Sequence, residues 1–95
     1  MSAAATMRER DNAVRTVMGT PIGRRFVMDV LESCHWQRNP FAESSNALSY
    51  NVGVQSVGIT LFSLLERTQP LQTRDMLTEW RERMDAIEAE MEIPE

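Results

Sequence analysis

The sequence predicts an all-α fold, a small bundle of three to four helices, and three observations point to it. Apolar residues recur at helical spacing in every long segment, and no stretch alternates convincingly as a strand would. Thr20-Pro21 is a clear helix start, a good cap followed by proline at the first helical position, where its missing N–H costs nothing. Gly19, Pro40, Pro70 and Pro94 punctuate the chain between the apolar segments. Its 95 residues, 42% hydrophobic and 25% charged, are enough for one small domain. They are too few for the large α/β catalytic scaffolds, which need roughly 200 residues or more.

The first helix is expected over residues 3–18. Met7, Val14, Val17 and Met18 make a thin apolar stripe, and Gly19 is a natural stop. Most of this segment is polar, so residues 1–19 read as an arm that needs something to pack against, with 20–95 as the helical domain. In the second helix, Ile22, Phe26, Val27, Val30, Leu31 and Cys34 fall on one continuous apolar face, with Arg24, Arg25, Asp29 and Glu32 mostly off it. His35 and Trp36 are expected to close this helix. Residues 37–44 read as a loop with a turn at Asn39-Pro40, and Phe41 as an anchor into the core.

Ser44 or Ser45 can cap a third helix running to about Arg67. Its β-branched residues invite a strand reading, but alternation breaks at Ser56-Val57-Gly58 and the run is far too long. Ala47, Tyr50, Val54, Val57, Leu61, Leu64 and Leu65 share a broad face, and Leu48, Val52 and Ile59 a narrower one. Ser44–Leu65 carries no charge, so this helix is expected to be covered on most sides. The run is long enough to span a bilayer, but its many Ser, Asn and Gln residues argue against insertion. A fourth helix, starting at Pro70 or capped at Thr73, presents Met76, Trp80, Met84, Ile87 and Met91 as a one-sided stripe among charges. Glu79 and Arg83 sit four apart in the favourable order. The stripe extends beyond what so small a core can cover, which makes these five residues the candidate partner-binding surface.

All ten basic residues are arginine, and their distribution is bipolar. Residues 1–25 carry Arg8, Arg10, Arg15, Arg24 and Arg25 for a net +3, whereas residues 79–95 net −5. An acidic tail repels phosphate, which disfavours general nucleic-acid binding. The five N-terminal arginines remain candidates for an anion, a local DNA contact or an acidic partner. Charges at Arg8, Glu9, Arg10 and Asp11 interrupt any apolar leader-like run, so synthesis in the cytoplasm is expected.

Catalytic chemistry finds no foothold. One cysteine and one histidine, adjacent at Cys34-His35, cannot build a disulfide framework, and neighbours on a helix point about 100° apart, against both a shared metal and a nucleophile pair. Cys34 completes an apolar face and reads as a structural thiol. Gly19…Gly23 and Gly53…Gly58 match neither phosphate-loop pattern. Trp36, Phe41, Tyr50 and Phe62 lack interleaved basic residues and read as core rather than a stacking platform. No enzyme activity, cofactor or metal is expected.

Residues 20–80 carry an ordered series of short motifs. Thr20-Pro21-Ile22-Gly23-Arg24-Arg25-Phe26-Val27-Met28-Asp29-Val30-Leu31-Glu32-Ser33-Cys34 is followed by an aromatic loop at Asn39-Pro40-Phe41. Then come Asn51-Val52-Gly53, Val57-Gly58-Ile59-Thr60-Leu61, a proline, and Met76-Leu77-Thr78-Glu79. This order resembles a family of small tailed-bacteriophage proteins first noted in a Bordetella podophage. The family usually carries an arginine pair or Arg-x after its Asn-x-Gly, where this chain has Val54-Gln55. The resemblance implies a virion-associated protein, with no activity to carry over, and the expected role is a structural one near the portal, connector, internal core or ejection apparatus. Other phage structural proteins and further copies of this chain are then the expected partners. The competing expectation is a small intracellular regulator that binds a host protein through the same stripe.

Overall fold

The computed structural model describes residues 2–37 and 44–92, and these form an all-α bundle of four helices. They are α1 (Ala3–Met18), α2 (Pro21–Ser33), α3 (Ser45–Thr68) and α4 (Pro70–Glu92). The expected turn at Asn39-Pro40, the Phe41 anchor and the stop at Pro94 lie outside the described residues.

Each start follows from local chemistry. The hydroxyls of Ser2, Thr20 and Ser44 accept from the backbone N–H groups of Ala5, Gly23 and Ala47, satisfying donors that a helix start leaves free. Pro70 opens α4 directly after α3, and the Gln69 carbonyl accepts from both the backbone N–H and the hydroxyl of Thr73. The second helix ends earlier than residue 36. Cys34 caps it, and His35 turns left-handed with φ 52°. That reversal swings Trp36 back against α3, where its ring lies 4.2 Å from that of Phe62.

The buried apolar core is small: Met18, Met28, Leu31, Leu65 and Met76. Two glycines set the closest approaches. A Cβ on Gly23 would stand 1.8 Å from the Val17 carbonyl oxygen, so the start of α2 lies directly on the end of α1. A Cβ on Gly58 would stand 2.8 Å from Cys34 Cβ and 3.0 Å from Trp36 Cβ, so α3 crosses the turn after α2 with no side chain between them.

The molecule is a flattened slab with principal extents of 60 × 38 × 15 Å. Its radius of gyration is 16.5 Å, against about 12 Å for a compact domain of this length.

Candidate interaction surface

The expected apolar face of α2 turns inward only in part: Leu31 is buried and Val27 packs against the core, but the start of that face does not. Arg24, Met28 and Leu31 point at α4, with Met28 and Leu31 fully buried. Ile22 and Phe26 are instead 84% and 65% exposed. The reason lies in α4. Glu79 accepts from Arg24 Nε at 3.1 Å and Nη2 at 2.6 Å, while Arg24 Nη1 donates to the Met18 carbonyl at 3.0 Å. One guanidinium thereby ties the end of α1, the start of α2 and the middle of α4. The hydrogen bond that Arg24 donates to Glu79 raises the Arg24 pKa against the opposing effect of burial, so this residue stays charged.

This corrects two sequence expectations. Arg24 is a structural tie rather than an open anion contact, and Glu79 pairs with Arg24 across 55 residues instead of with Arg83 in its own helix. The other four candidate arginines, Arg8, Arg10, Arg15 and Arg25, lie on the surface. Arg25 pairs with Asp29 at 3.3 Å and Arg10 approaches Asp11 at 3.7 Å, both exposed. Arg8 and Arg15 are exposed with no ion pair among the described residues.

The third helix also departs from expectation. It is apolar and long enough to cross a membrane, yet only 11% of its most apolar window is buried. Its packed positions include Gln55, Gly58, Phe62 and Leu65, spaced 3, 4 and 3. The Gln55 amide donates to the His35 and Trp36 carbonyls, using the Val54-Gln55 site to hold the turn after α2. Tyr50, Val52, Val57 and Ile59 face outward, so Tyr50 is no core residue. A slab this thin has nothing left to lay over that face.

The stripe on α4 divides. Met76 is fully buried beneath α2 and α3, which removes it from any partner surface, and Trp80 is half-buried beside it. Met84, Ile87 and Met91 are exposed, Met91 by 81%. Between α1, α2 and α3 lies an entirely apolar groove of about 330 Å³, walled by Val14 and Val17, Phe26 and Val30, and Leu61 and Leu65. The sequence showed these residues only as apolar faces of three separate helices, not as one groove. The available signal was the doubled pattern on α2, where the 24–28–31 series competes with 22–26–30.

Cys34 is half-buried against α3, and no three metal-ligating side chains converge among the described residues. Compared with known proteins, the chain matches no family model, no curated protein and no solved structure.

Proposed function

We propose that this chain is a non-enzymatic structural subunit of a bacteriophage virion, working by helix packing in a multi-copy assembly near the portal, connector, internal core or ejection apparatus. The observation that carries the packing role is surface. The chain exposes 7088 Å², whereas a compact monomer of 10.9 kDa is expected to expose about 5,600 Å². The difference, about 1,500 Å², comes from the open arrangement of the helices, which leaves apolar faces uncovered. Much of it is apolar, including Ile22, Phe26, Tyr50, Val57 and Met91. The virion setting rests on the resemblance of residues 20–80 to the small phage family.

Protein rather than lipid is the cover inferred for α3. Ser49, Ser56, Thr60 and Ser63 are interspersed among its exposed apolar residues, a mixture suited to close helix contacts. Flotation with liposomes tests this: the chain stays in the dense fraction, and co-flotation would place α3 in lipid instead.

The direct experiment is the double substitution Met84→Asp and Ile87→Asp. It should abolish incorporation into particles while leaving residues 20–65 helical, and normal incorporation refutes the docking role. Mass spectrometry of purified particles should find the wild-type chain at a fixed copy number. Its absence from particles favours the host-directed regulator.

A further inference from the structure

We infer that the apolar groove between α1, α2 and α3 receives the end of α4 from a second copy of this chain, a head-to-tail contact. This rests on the multi-copy reading above and names its geometry. Met84, Ile87 and Met91 are exposed and spaced 3 and 4, one side of a helix about 10 Å long. The groove wall on α2 is Phe26, Val27 and Val30, a little over one helical turn, the span that neighbouring ridge residues such as Met84 and Ile87 cover. An exposed apolar ridge and an entirely apolar furrow thus lie on different helices of one molecule.

Charge selects between the pairings. Beyond Arg83 the described part of α4 carries Asp85, Glu88, Glu90 and Glu92 and no basic residue. Two such ends packed in parallel would set like charges together, which disfavours a parallel α4–α4 pairing. The groove's α1 wall belongs to the basic end of the chain. Arg10 lies one and two turns before Val14 and Val17 on the same side of α1, and Arg8 and Arg15 have no ion pair among the described residues. The Arg10–Asp11 and Arg25–Asp29 pairs are exposed, hold their arginines weakly and can exchange for a partner's carboxylates.

A head-to-tail subunit uses two patches, its own ridge and its own groove. Such a contact repeats, closing a ring or running on as a filament according to the rotation between copies.

Complementation between two full-length variants tests the geometry. Met84→Asp with Ile87→Asp spoils the ridge and leaves the groove. Phe26→Asp spoils the groove and leaves the ridge. Each variant alone should be monomeric by native mass spectrometry, with association weakened at least about 100-fold, or about 2.7 kcal/mol. Mixed one to one, they retain one intact ridge and one intact groove between them and should form a one-to-one dimer that stops there. A monomeric wild type, a groove variant that still assembles, or a mixture that stays monomeric overturns the inference. Circular dichroism checks each variant, and Phe26→Ser replaces Phe26→Asp should helicity fall. A groove variant that still enters particles at the wild-type copy number refutes this contact alone, whereas a wild-type chain absent from particles refutes the virion role.

Discussion

Arg24 and Glu79 form the contact on which the arrangement of three helices turns. Their side chains are 12% and 29% exposed, so solvent screens them little. Glu79→Gln should cost about 1–3 kcal/mol in chemical denaturation, the range for a hydrogen bond to a charged group. Arg24→Lys should cost nearly as much, because one ammonium cannot reach both the Glu79 carboxylate and the Met18 carbonyl. The arginine pKa is raised in the folded state, so its share of the stability is present at and below the ordinary arginine range and is lost only above it. The glycines make a second residue-scale test. Gly23→Ala and Gly58→Ala should each destabilise by about 1–3 kcal/mol, since the new methyl meets the Val17 backbone in one case and Cys34 and Trp36 in the other. Gly53 has open space around it, so Gly53→Ala should stabilise α3 by about 0.5–1 kcal/mol. His35→Gly should also raise the denaturation midpoint, by removing the steric cost of a left-handed histidine.

Helix starts were legible because their causes are local: a hydroxyl three residues before the amide it caps, or a proline where no N–H is needed. The side that each helix buries was less legible. Both α2 and α3 are apolar on more than one side, and the choice between sides is made by residues far away in the chain. Glu79 draws Arg24 inward and leaves Phe26 outside, a decision no window around α2 contains. Gly58 orients α3 only because the turn at Cys34 and Trp36 lies against it. The fourth helix was easier, since its length alone exceeds what so small a core can cover. Hydrogen exchange should divide α4 accordingly: amides near Met76 protected, and those from Glu88 to Glu92 exchanging rapidly in the monomeric ridge variant. Uniform protection along α4 in that variant would mean that the helix end folds onto its own chain.

At the scale of the molecule, a flattened shape encloses little dry core. Five apolar residues are buried among the described ones, while α3 leaves most of its apolar window outside. Stability of so small a core is expected to be marginal in isolation and to rise with anything that binds only the folded state, including another copy. In the proposed assembly the charge asymmetry, basic at the beginning and acidic at the end, would give successive copies a direction. Thermal unfolding should therefore depend on concentration, its midpoint rising as subunits associate, and a midpoint independent of dilution would count against that coupling. Sedimentation equilibrium of the intact chain is the most direct measurement of all. A mass at a multiple of 10.9 kDa, falling towards the single-chain value on dilution, is what a subunit made for helix packing gives. A mass of 10.9 kDa at every concentration, with a radius of gyration near about 12 Å, would contradict it.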